Sequence, residues 1–260
     1  MPTPIPTVAE AVMHDLIQGL LTILGARLLG VYVGGSAALG DFCEATSDLD
    51  FLVVTEGFLS MEDQIAVKQL HAELLSRHGF ASRLEGDYAP LQALVPTGTT
   101  VPVPGCERGL FIARVGEIML SADNIYNMRE HGIHLYGPPP AELLPVVSHQ
   151  QVRGAVQEML AEGPEPFETV EEAAASLLNL VRSFLALAKG EPVTKSEGAT
   201  WALHNLPAPL RPAIEAAVAV RSGKTNPALF QPMASAIDDL HQHWPEWDPI
   251  SPALLYQKTE

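Results

Sequence analysis

The chain has 260 residues, of which 47% are apolar, and a net charge of −16. That is enough for one large or two modest domains, and the acidic balance argues against a nucleic-acid substrate, whose phosphates require Lys/Arg stripes. It suits a small cationic partner, which an acidic cleft attracts. The two cysteines, Cys43 and Cys106, fit neither a zinc spacing nor a disulfide framework, so a reduced, cytoplasmic protein is expected. No uninterrupted apolar run approaches a membrane span, and Met1-Pro2-Thr3-Pro4-Ile5-Pro6 lacks the basic and apolar regions of a signal peptide. No membrane partner is expected, and the protein is expected to act as a monomer.

In chain order, Thr7 with Glu10 reads as a capping box that opens an amphipathic helix to about Gly25. Val31, Tyr32 and Val33 form a strand that ends at Gly34-Gly35, and Phe51-Leu52-Val53-Val54 form a strand buried on both faces. Ser60 with Asp63 opens a second helix ending at Gly79. Residues 81–95 read as extended, 96–105 as a Pro/Gly loop, and 108–115 as a further strand. A short helix over 121–131 and a short strand over 133–136 stop at Gly137-Pro138-Pro139-Pro140.

Beyond that point the strand signal vanishes. Helices are expected over 148–162, 170–189, 196–206, 209–222 and 226–243, with Gly163-Pro164-Glu165-Pro166 as a linker. The pattern predicts an α/β domain over 1–145, a mixed sheet with flanking helices, followed by an all-α bundle over 146–260.

The chemistry gathers in the first domain. Glycines at 34 and 35 let the backbone approach a phosphate, a following helix start offers N–H donors, and Ser36 adds a hydroxyl. Asp48 and Asp50 lie two apart on a strand and so share a face. Two such carboxylates repel unless a cation sits between them, and magnesium takes one or two carboxylates and shares its remaining ligand positions with substrate phosphates. The alternative is that they only end a strand. In Leu84-Glu85-Gly86-Asp87, Glu85 and Asp87 repeat this geometry, and either is able to serve as the base that a hydroxyl acceptor needs.

Gly35-Ser36, a spacer and Asp48-x-Asp50 between apolar flanks resemble the signature of the DNA polymerase beta-like nucleotidyltransferase superfamily. Leu84-Glu85-Gly86-Asp87-Tyr88, Leu178-Asn179-Leu180-Val181-Arg182, Gly190 to Lys195, Trp201-Ala202-Leu203 and Leu206-Pro207 resemble, in order, the aminoglycoside adenylyltransferases of the 3''(9) type. The resemblance spans roughly residues 30 to 225. It implies transfer of AMP from ATP to a hydroxyl, with Mg2+ on Asp48 and Asp50. Glu85 would be the base and Asp87 a substrate neighbour. Gly35, Ser36, Ser47, Arg182 and Lys195 would lie on the nucleotide.

Members acting on both streptomycin and spectinomycin use a tryptophan of the first domain and an aspartate at the start of the long C-terminal helix. This chain has no tryptophan before Trp201, and at the second position it carries Glu171 and Glu172. Glu172 is thus the substrate-facing candidate, and a spectinomycin-like acceptor is expected over streptomycin. The alternatives are a non-antibiotic acceptor on the same fold, or a non-catalytic nucleotide-binding regulator.

Overall fold

A computed structural model describes residues 4–94, 102–113, 121–164 and 166–244. The chain divides into two units, Met1–Val147 and Ser148–Glu260. The expected fold class is found: a mixed sheet with flanking helices, then helices alone.

In the first unit the elements run α1 (Thr7–Leu24), β1 (Leu28–Val33), α2 (Gly35–Ala38), β2 (Leu49–Thr55), α3 (Met61–Arg77) and β3 (Leu84–Pro90). They continue as β4 (Gly105–Glu107), β5 (Leu110–Ile112), α4 (Ala122–His131), β6 (Ile133–Tyr136) and α5 (Pro140–Leu143). The strands lie in the order β5-β4-β3-β2-β1-β6. β2 and β3 run parallel, and the other neighbouring pairs run antiparallel. A parallel pair needs a crossover, and α3 supplies it.

Alternation along the strands builds two cores. Leu49, Phe51, Val53, Leu84 and Tyr88 face the stripe Val12, Leu16 and Leu20 of α1 and Val67 and Leu74 of α3. On the other face, Tyr32, Leu52, Val54 and Ala89 pack with Met128 of α4 and with Leu144.

Three sequence expectations are corrected. Pro6, not Thr7, occupies the N-cap of α1, and no side chain caps it, because Thr7 is already helical. The capping box of Ser60 and Asp63, at the same spacing, does form on α3. By length and composition α1 is apolar enough to cross a bilayer, with a mean hydropathy of 1.3 over its richest window. Its buried residues, from Ala9 to Leu24, instead form one stripe on the sheet. Second, among the described residues extended structure in the 81–95 region is limited to β3, flanked by 3-10 turns at Gly79–Arg83 and Leu91–Ala93. Third, the end of the expected loop is a strand, β4. It joins β5 through Arg108 and Gly109, whose φ values of 48° and 77° give the left-handed pair a two-residue hairpin requires. Residues 95–101, 114–115 and Glu165 fall outside the described residues.

The second unit comprises α6 (His149–Glu162), α7 (Val170–Lys189), α8 (Lys195–Asn205), α9 (Arg211–Arg221) and α10 (Phe230–His243). α7 is buried around most of its girth, from Val170 to Leu187, and packs against each of the other four. A helix apolar on most sides must sit at the centre of its bundle. Three helix starts carry capping boxes: Ser148 with Gln151, Thr169 with Glu172, and Thr194 with Glu197. Gly190, at φ 75°, closes α7.

Candidate active site

The antiparallel pairing of β1 and β2 brings the Gly34-Gly35-Ser36 turn beside Asp50. The Gly34 N–H donates to the Asp50 carbonyl at 2.9 Å. Gly35 adopts φ +54°, and a Cβ there would lie 2.6 Å from Asp50 Cγ, with a carboxylate oxygen closer still. Only glycine gives both the left-handed backbone and the space. The Gly35 N–H donates to Asn127 Oδ1 at 2.9 Å. The first two backbone donors of the turn are therefore committed within the protein, contrary to the expectation of free N–H groups there. Ser36 Oγ, by contrast, is a buried hydroxyl with no hydrogen-bond partner among the described residues. A buried polar atom left in that state needs an explanation such as a ligand.

Asn127, buried on α4, was not apparent from sequence. It acts across a long sequence separation, and a lone polar residue in a helix gives no pattern to read.

The parallel register places Asp50 opposite Glu85 and Leu52 opposite Asp87. Asp50, Glu85 and Asp87 thus share one sheet face, with Asp87 deeper at 9% exposure. Asp48 is exposed and immediately precedes β2. Burial, then repulsion from Asp48, Asp50 and Glu107, raises the Glu85 carboxyl to about 7, against a weaker opposing pull from Arg108. Ser47 closes a tight turn: its Oγ accepts the Cys43 N–H at 2.9 Å, and its own N–H donates to the Cys43 carbonyl at 2.8 Å. Among the described residues the Ser47 hydroxyl proton has no acceptor.

This donor set suits magnesium. Carboxylate oxygens are its preferred protein ligands, and one or two suffice when phosphates and water complete the octahedron. No cage of three His, Cys, Asp or Glu ligands exists among the described residues.

In the helical unit Arg182 of α7 lies against the first turn of α8, the helix that Lys195 begins. Gly198, one turn into α8, packs so tightly that a Cβ on it would sit 2.5 Å from Arg182 Cα. Among the described residues Arg182, half-buried, has neither a hydrogen-bond nor an ion-pair partner. Glu172 is placed differently from its neighbours in the expected set. Its Oε2 accepts the N–H groups of Glu168 and Thr169 at 2.9 and 3.0 Å, so this oxygen caps α7. Glu171 accepts a hydrogen bond from Thr225 at 2.8 Å.

Residues 16–83 match the family model described as nucleotidyltransferase domain, and residues 142–243 match that described as aminoglycoside adenylyltransferase, C-terminal domain. The spectinomycin 9-adenylyltransferases of Staphylococcus aureus strains Mu50 and N315 are each 26% identical over 201 residues, covering 71% of this chain and 74% of theirs. The crystal structure of spectinomycin adenyltransferase AAD(9) from Enterococcus faecialis, with ATP and spectinomycin, superposes with a TM-score of 0.67 at 21% identity, over 88% of this chain and 98% of that one. With one domain of each kind in this order, the chain is an aminoglycoside adenylyltransferase-like enzyme of the nucleotidyltransferase type.

Proposed function

We propose that the protein transfers AMP from ATP to a hydroxyl of an aminoglycoside or aminocyclitol antibiotic, spectinomycin-like rather than streptomycin-like. The observation that carries the chemistry is the register that sets Asp50 opposite Glu85, with Asp48 just before β2 and the half-buried Glu85 carboxyl raised to about 7. A base titrating there is matched to proton transfer near neutral pH. The acceptor class is supported by the relatives, by the absence of a tryptophan before Trp201, and by a net charge of −16 that favours a cationic substrate.

Asp48 and Asp50 hold magnesium in this reading, which when bound neutralises phosphate charge. Ser36 Oγ and the Ser47 hydroxyl donate to triphosphate oxygens, and Arg182 and Lys195 offset further charge on the nucleotide. Asp87, with its low exposure, lines the acceptor side of Glu85. Glu172 supports the acceptor region from the start of α7, which its Oε2 caps. Glu85 takes the proton as the acceptor oxygen bonds to the α-phosphorus and the bond to pyrophosphate breaks. In-line displacement of this kind depends on positioning and charge neutralisation more than on covalent help from the protein.

Incubation with α-labelled ATP, magnesium and a panel of aminocyclitols tests the reading. Label should appear on a spectinomycin-like acceptor with stoichiometric pyrophosphate. Glu85→Gln should bind ATP and transfer nothing. Label on no acceptor, or full turnover by that variant, would refute it.

A further inference from the structure

We propose that Arg83 is a positioning residue, which locks the loop carrying Ser47 and Asp48 onto the strand carrying Glu85. This rests on the reading of Asp48 as a metal carboxylate. The loop from Cys43 to Ser47 has no regular structure beyond a turn; Thr46 N–H and Ser47 N–H donate to the Cys43 carbonyl, and Cys43 N–H to Ser47 Oγ, within the loop itself.

Arg83, two residues before Glu85, reaches across to it. Its Nη1 donates to the Glu44 carbonyl at 2.7 Å, and its Nη2 to the Cys43 carbonyl at 3.5 Å and to the Ser47 carbonyl. The guanidinium lies over the Phe80 ring, 4.9 Å from its centroid, and Phe80 in turn packs on Phe42 at the loop's other end. One rigid planar fork thus satisfies three backbone acceptors in a single loop while stacked on an aromatic face. Lysine has the charge but not the fork.

The consequence is local. Ser47 is the residue before Asp48, so fixing its carbonyl fixes the point from which the Asp48 side chain departs. Glu85 is held by the same β3 backbone that begins after Arg83. Arg83 therefore sets the spacing between a metal carboxylate and the base without touching substrate. Groups that orient metal ligands in this way typically cost about 10–100-fold in metal affinity when removed.

The test is Mn2+ binding in the presence of a non-hydrolysable ATP analogue, measured by electron paramagnetic resonance on wild type, Arg83→Lys, Arg83→Gln and Asp48→Asn. Arg83→Gln should weaken Mn2+ binding by at least about tenfold, with Arg83→Lys intermediate and Asp48→Asn weakest. Analogue binding in EDTA and the far-ultraviolet circular dichroism spectrum should stay at wild-type levels, which a merely structural defect would not allow. Arg83→Lys keeps the test readable if the glutamine variant does not fold. Wild-type Mn2+ affinity in a folded Arg83→Gln or, failing that, in Arg83→Lys would overturn the role, provided Asp48→Asn loses the metal. Wild-type affinity in Asp48→Asn would instead overturn the metal reading of Asp48, and this inference with it.

Discussion

Glu85→Gln should make the metal-free protein more stable at alkaline pH and leave it nearly unchanged in acid. The Glu85 carboxyl is raised to about 7 from a reference value of 4.5, chiefly by burial. Because the native value lies above the unfolded one, folding favours the protonated form. Its contribution is fully present below about 4.5 and is lost as pH rises through about 7. At about 1.4 kcal/mol per pKa unit, the ionised side chain destabilises the native state by roughly 2–3 kcal/mol, the lower figure allowing for its remaining contact with water. A neutral glutamine of the same shape carries none of that cost. The variant should therefore gain roughly 2–3 kcal/mol at pH 8 and under about 1 kcal/mol at pH 5.

The assay is urea unfolding in EDTA, followed by amide hydrogen exchange in β2 and β3. Tryptophan fluorescence does not report on this unit, since Trp201, Trp244 and Trp247 all lie after residue 148. An equal gain at both pH values, or a loss at pH 8, would refute the assignment of a strained carboxylate here.

Gly35→Ala should cost about 1–2 kcal/mol for the left-handed backbone alone and displace the Asp50 carboxylate, so magnesium-dependent transfer should collapse with it. Unchanged urea midpoint and turnover would contradict the close approach at Asp50. His71 is buried and held to about 4, mainly by burial. Its native value lies below the unfolded one, so the stability it contributes is present above about 6.5 and lost as pH falls through about 4, roughly 3 kcal/mol in all. This is best read in the Glu85→Gln background, where the opposing titration is absent. Tyr88→Phe there should raise the pH of acid unfolding, because the phenol 2.6 Å from His71 Nε2 is gone; an unmoved midpoint argues against the buried pair. Glu172→Ala should destabilise the helical unit by about 1 kcal/mol through the lost capping box, visible by tryptophan fluorescence, and an unchanged midpoint would show that the cap is inconsequential.

Periodicity carried the helices well where a cap residue and an apolar stripe agreed. Ser60 and Asp63 frame α3, and the stripe from Ala174 to Leu187 marks the bundle's central helix. Thr7 and Glu10 show the same spacing with a different outcome, since a proline at position 6 takes the cap and shifts the helix frame by one. β4 was unreadable because Gly105-Cys106-Glu107 has no strand propensity of its own. Its extended form comes from pairing with Gly86 and Asp87 on β3. In the candidate site, the glycine turn and the paired carboxylates follow from local spacing. Asn127 on Gly35 and Arg83 on the 43–47 carbonyls do not, because both are contacts across long stretches of chain to backbone atoms. Such acceptors exist at every residue and leave no mark on the sequence.

The in-register pairing of β2 with β3 ties the assembly of the site to the accuracy of folding. Sliding β3 by one residue would set Leu84 or Gly86 opposite Asp50 and turn Glu85 toward the apolar layer under α1 and α3. A chain folded that way would keep much of its secondary structure and have no base. Tolerance to insertion should therefore differ sharply along the crossover. Residues added at the turn Glu56-Gly57-Phe58, ahead of the buried Leu59, lie outside the β2–β3 register, whereas those added between Phe80 and Leu84 bear directly on which residue stands opposite Asp50.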